Sequence, residues 1–120
     1  MARTLSNIEL AAQRYDSFKK LVEENTTYPM ATITYHGPSP EKASKIVVGI
    51  IESRDKVPLL REWSGEDIAE DVDAAREISL FIKDHTIARL ITSEFVLSCP
   101  HEEGNDYPSG ENCPYCPDWY

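Results

Sequence analysis

A chain of 120 residues, 41% apolar and 28% charged, has the size and composition of one globular domain with one core. Its 21 acidic against 12 basic groups leave a net charge of −9, which opposes nucleic acid and anionic membranes and favours a basic protein partner or no charged partner at all; a protein partner or a homo-oligomer stays open. No apolar run approaches the roughly 18 residues of a membrane span, and Met1 to Asn7 lack the apolar core of a secretory signal, so a soluble, cytoplasmic protein is expected.

Ser6-Asn-Ile-Glu9 has the capping-box pattern, with Leu5 and Leu10 placed as the hydrophobic staple of a first helix. Ile8, Ala12, Tyr15, Phe18 and Val22 recur at helical spacing as its inward stripe, and Thr26, Thr27 and Pro29 end it near Asn25. Met30 to Tyr35 alternates in period two, a strand with Ala31, Ile33 and Tyr35 on one face. After the turn-rich His36-Gly-Pro-Ser-Pro40, the stretch Ile46 to Ile51 is apolar on both faces and predicts a central strand. A polar turn over Ser53 to Lys56 leads to a third strand, Val57 to Trp63, in which Pro58 has no N–H for a ladder and belongs at an edge or a start.

Ser64-Gly-Glu-Asp67 repeats the capping device, with Trp63 and Ile68 as staple. Ile68, Val72, Ala75, Ile78 and Ile82 form the stripe of the second helix. Acidic residues crowd its first turns, and Lys83 and His85 close it, as the helix dipole favours. A last strand, about Arg89 to Ser98, runs into Cys99. The order α-β-β-β-α-β predicts an α+β domain over residues 1–98, an antiparallel meander sheet packed by two helices. Residues 99–120 are expected to form a metal-binding tail on the same domain.

All three cysteines lie in that tail, as Cys99-Pro-His101 and Cys113-Pro-Tyr-Cys116 around an acidic loop. In a reducing compartment such clustering points to a metal or to redox chemistry rather than a disulfide framework. Two residues between Cys113 and Cys116 let both sulfurs reach one ion, and Cys99 with His101 supplies the other half. Three Cys and one His are a donor set that closes structural zinc sites. The expectation is Zn²⁺ held by Cys99, His101, Cys113 and Cys116, in a binding or regulatory module rather than an enzyme. Tyr107, Tyr115, Trp119 and Tyr120 then pack on the domain or present an aromatic surface.

His101-Glu-Glu103 with Cys113-x-x-Cys116 resembles the signature of the zinc nucleobase deaminases, an H-x-E followed by P-C-x-x-C. The resemblance implies a zinc hydrolase in which His101, Cys113 and Cys116 hold the ion and Glu102 or Glu103 moves protons. Asn112 stands in place of the proline, eleven residues separate the halves, and Cys99 is a spare ligand. Cys113-Pro-Tyr-Cys116 is identical to the active-site tetrapeptide of glutaredoxins, which implies thiol redox chemistry through Cys113 and Cys116; in that family the motif opens a helix.

The α-β-β-β-α order of residues 6–85 resembles the double-stranded-RNA-binding domain, but the second helix carries six carboxylates between Glu66 and Glu77 where that family places basic contacts. The meander-helix-strand order is similar to the ribonuclease H core, which needs a carboxylate on its first strand, where this chain has Thr32 and Thr34. His36 joins the metal zone if the first and last strands run parallel and adjacent. Asp67, Glu70, Asp71 and Asp73 read as a solvated face rather than a calcium loop.

Overall fold

The structure is a computed structural model that describes residues 7–119. Its elements are α1 (Asn7–Glu24), β1 (Met30–His36), β2 (Lys45–Ile51), β3 (Leu59–Ser64), a 3-10 turn (Ile68–Glu70), α2 (Val72–Lys83), β4 (Arg89–Ser98) and a second 3-10 turn (Pro117–Trp119). No helix among the described residues is long and apolar enough to cross a membrane.

The strands form one sheet in the order β3-β2-β1-β4. β1, β2 and β3 pair antiparallel, with Ile33 opposite Val48 and Ile46 opposite Trp63. β4 lies on the free side of β1 and runs parallel to it, with Ala31 beside Leu90 and His36 beside Ser98. The sheet is therefore mixed, which corrects the expected antiparallel meander. Two reversals point β3 the same way as β1, and a helix that carries the chain back across the sheet leaves β4 in that direction too.

The β1–β4 register slips after Ile33 and again after Tyr35. Ser93, buried at the slip, spans the gap: its hydroxyl accepts from the Tyr35 N–H at 3.3 Å and donates to the Phe95 carbonyl at 2.9 Å.

The main core joins Ala31, Ile46, Val48, Ile50 and Trp63 of the sheet to Ile68, Ala74 and Ile78, with Ile33, Tyr35, Phe81 and Ile82 packed against them. β1 presents the face its alternation predicts. β2 is buried at Ile46, Val48, Gly49 and Ile50, as a central strand should be. α2 is seated by the Trp63 indole N–H, which donates to Glu77 Oε2 at 2.9 Å, and by an edge contact between Trp63 and Phe81 at 6.1 Å. His85 packs on the other side of Phe81 at 5.2 Å.

Both helices differ from the pattern reading in phase. α2 starts at Val72, not at Ser64, which ends β3. Between them Asp67 takes a left-handed conformation (φ 49°) and the 3-10 turn drives Ile68 into the core. Asp71 is the cap, its side chain accepting from the Ala74 N–H at 3.0 Å. The inward face then runs through Ala74, Ile78, Phe81 and Ile82, leaving Ala75 exposed and Val72 70% exposed.

Leu5, Ser6 and the Ile8 side chain lie outside the described residues. In the rest of α1, Leu10, Ala11, Arg14, Phe18 and Val22 turn inward, while Ala12 is exposed and Tyr15 is 52% exposed. Arg14 accounts for the rotation. Its guanidinium donates to the carbonyls of Pro40 (3.3 Å) and Val96 (3.2 Å) and lies 4.7 Å over the Phe95 ring, so a charged residue sits where a hydrophobic stripe has no place for one.

Asp71→Ala is expected to cost about 1 kcal/mol in urea denaturation, and Ser64→Ala less than about 0.5 kcal/mol. A larger loss at Ser64 would return the cap to the position the sequence suggests.

Candidate metal centre

β4 delivers Cys99 to the end of β1, and the junction is fastened by backbone first. The Gly37 N–H donates to the Ser98 carbonyl at 2.9 Å. Lys45, at the start of β2, donates from Nζ to the Pro100 carbonyl at 3.1 Å and pairs with Glu62 at 3.6 Å. From the far end of the tail, the buried Trp119 indole N–H donates to the Gly37 carbonyl at 2.7 Å. One peptide residue thus receives both ends of the tail. A Cβ on Gly37 would lie 1.7 Å from the Lys42 carbonyl oxygen, so no side chain fits there.

The loop between the two halves is braced by its own carboxylates. The Glu102 N–H donates to Asp106 Oδ2 at 2.7 Å, and Glu102 Oε2 accepts from Asn105 Nδ2 at 3.3 Å. Glu103 Oε1 accepts from the Gly110 N–H at 2.8 Å. Gly104 and Gly110 both take φ +84°, which L side chains rarely adopt. The two glutamates singled out as proton carriers are thus engaged with the loop itself.

This framework brings Cys99, His101, Cys113 and Cys116 together, with one donor atom from each within 4.8 Å of the others. Cys99 Sγ is 3.4 Å from Cys113 Sγ and 3.2 Å from Cys116 Sγ. His101 Nδ1 is 3.2, 3.5 and 3.4 Å from the sulfurs of Cys99, Cys113 and Cys116. Cys113 and Cys116 are buried with Val96 and Trp119, and Tyr107 packs against the group. Tyr115 stays 62% exposed with its ring 4.9 Å from that of His101; Tyr120 lies outside the described residues. The cluster can hold a metal ion with four protein ligands. It is the one such group of three or more His, Cys, Asp or Glu side chains among the described residues, so the acids of the 3-10 turn and α2 do not converge.

The thiols share their protons unevenly. Burial pushes the Cys99 thiol up, and the adjacent Cys116 and Cys113 thiols reinforce this against the His101 amide. Burial likewise raises Cys116. Burial also opposes ionisation of Cys113, but amide N–H donors at Tyr115 and Cys116 and the neighbouring thiols outweigh it and bring Cys113 down. Of the three, Cys113 is the thiol whose surroundings favour the thiolate, and a cation bound at the centre would favour that form at all three sulfurs.

Cys99 completes a set of four, whereas the deaminase pattern uses three. The Cys113-x-x-Cys116 motif opens only the three-residue turn Pro117–Trp119, not the helix of the glutaredoxin context. His36 does lie where β1 and β4 run parallel, opposite Ser98, yet it is not part of the cluster. Its Nδ1 is 3.0 Å from Ser98 Oγ and its Nε2 3.0 Å from Thr34 Oγ1. Gly37, Lys45 and Ser98 escaped the sequence reading. Trp119 packs on the domain, as its place in the aromatic tail suggests.

Burial, helped by the Lys45 charge and opposed by Glu62, lowers the His36 pKa from 6.5 to about 4. The folded state therefore keeps the ring neutral. Its contribution to stability is complete above pH 6.5 and falls as pH drops through 4, by on the order of 3 kcal/mol in all. The His36 ring resonances are expected to titrate with a midpoint near 4; a midpoint near 6.5 would contradict this. Gly37→Ala is expected to destabilise the chain by roughly 3 kcal/mol and to expose Trp119, read as a red shift of its fluorescence. An unshifted spectrum and unchanged stability would show that the tail is seated elsewhere. No family model, curated protein or solved structure matches the chain.

Proposed function

We propose that this chain is a binding or regulatory module whose tail is stapled by a structural Zn²⁺ at Cys99, His101, Cys113 and Cys116. The observation that carries the reading is the convergence of four donors from both ends of the tail onto one point, two of them in the core. Zinc binds sulfur at about 2.3 Å and imidazole nitrogen at about 2.0–2.1 Å, so a tetrahedral site spaces its donors by roughly 3.6–3.8 Å. The 3.2 to 3.5 Å spacings lie just inside that, and an ion entering the centre needs to spread the donors by only tenths of an ångström. Three sulfurs and an imidazole also suit zinc better than magnesium, calcium or manganese.

Four protein ligands leave no position for water, which supports a structural rather than a catalytic ion. The tail has few aliphatic side chains of its own, so the free energy of metal binding becomes the free energy of holding it folded. A net charge of −9 makes a basic protein the favoured partner.

Elemental analysis of the purified chain should find one zinc per molecule, reduced at least tenfold in Cys116→Ser. Chelation should lower the melting temperature by more than about 10 °C. In the cobalt-substituted protein, visible bands of a four-coordinate site should not change when azide is added. Metal-free protein with unaltered melting would sink the proposal, and azide-sensitive bands would move the site to the catalytic class.

A further inference from the structure

Beside the metal centre lies a cavity of about 270 Å³ that the staple leaves unexplained. The side chains of Val47 and Leu60 line it on the sheet, Cys99 and His101 on the tail, and Glu62 and Glu102 are among its polar groups. We infer that this cleft receives one long cationic side chain, a lysine or arginine, from a basic segment of a protein partner. The inference deepens the binding reading above and rests on the metal being bound.

Size comes first. Pockets for drug-sized ligands run from about 300 to 1,000 Å³, so this one suits a single extended group. Its walls are of two kinds. Leu60 is 63% exposed although it stands on a strand, and with Val47 it offers an apolar surface for an alkyl stem. Glu62, 54% exposed and paired through Oε1 with Lys45, and the exposed Glu102, whose Oε2 accepts from Asn105, still present carboxylates to a charged tip.

Charge then selects the sign. A divalent ion held by three thiolates leaves one negative charge at the centre, and Glu102 adds another. Lys45 and Glu62 cancel, because the ammonium is already committed at 3.6 Å to Glu62 and at 3.1 Å to the Pro100 carbonyl, with its side chain only 15% exposed. An anion entering the cleft meets this excess of negative charge, and a cation is drawn in by it. Lysine and arginine are the protein side chains that join a long apolar stem to such a tip.

The test uses the full chain with its zinc content measured, titrated by NMR with a capped octapeptide of alternating glycine and lysine. Saturable shifts are expected at the amides of Val47, Leu60, Glu62, Cys99 and His101, weakening as salt rises. Glu62→Gln should weaken binding by roughly three- to fivefold, while Glu66→Gln, outside the cleft, leaves it within about 1.5-fold. Equal binding of a norleucine peptide would reduce the cleft to an apolar patch. Equal weakening by Glu66→Gln would make the attraction one of net charge alone, and tighter binding of inorganic phosphate would reverse the sign. Each of these overturns the inference. Full zinc occupancy with no shift at the cleft overturns it and leaves the zinc reading standing, whereas a chain that takes up no zinc overturns both.

Discussion

The tail is tied to the sheet at both of its ends through the two backbone groups of Gly37. Its N–H holds the last residue of β4 and its carbonyl holds the indole of Trp119, eighty-two positions along the chain. Each bond contributes about 1 kcal/mol net, but a buried group left without its partner costs more than the bond itself provides. The two ends of the tail are therefore coupled, since loosening either leaves Gly37 unsatisfied. The Lys42 carbonyl, against which no Cβ would fit, explains why this role falls to glycine.

Around that point the polar groups are closed off with economy. His36 bridges two hydroxyls, and Thr34 Oγ1 also reaches the Val47 carbonyl at 3.4 Å. A neutral imidazole has one N–H and one lone pair, so it donates to one hydroxyl and accepts from the other. A charged ring there would add a second cation next to Lys45. Among the described residues no buried side-chain nitrogen or oxygen lacks a hydrogen-bond partner. The junction thus combines a neutral network, one committed ammonium and a cluster of three thiols with an imidazole.

Much of the architecture is legible in the order of residues. Period-two alternation placed Ala31, Ile33 and Tyr35 on one face, and the doubly apolar Ile46 to Ile51 marked the central strand. The errors have physical causes. The phase of α1 departs from its hydrophobic stripe because Arg14, polar by pattern, faces inward to donate to two carbonyls of irregular and edge backbone. The start of α2 is ambiguous in the sequence because two N-cap candidates, Ser64 and Asp71, lie within eight residues. The demand to bury Ile68 favours a 3-10 turn first and Asp71 as the cap.

The candidate ligands illustrate the same division. By itself the sequence determined which four side chains are suited to a soft ion, because donor chemistry and the two-residue Cys113–Cys116 spacing are covalent properties of the chain. It could not show that the halves meet, because eleven residues of loop are compatible with many separations. That was decided by tertiary structure. A parallel β4 lands Ser98 beside His36, Lys45 reaches the Pro100 carbonyl, and Trp119 returns to Gly37. These contacts join residues distant in the chain through backbone carbonyls, which every residue has and no sequence pattern marks.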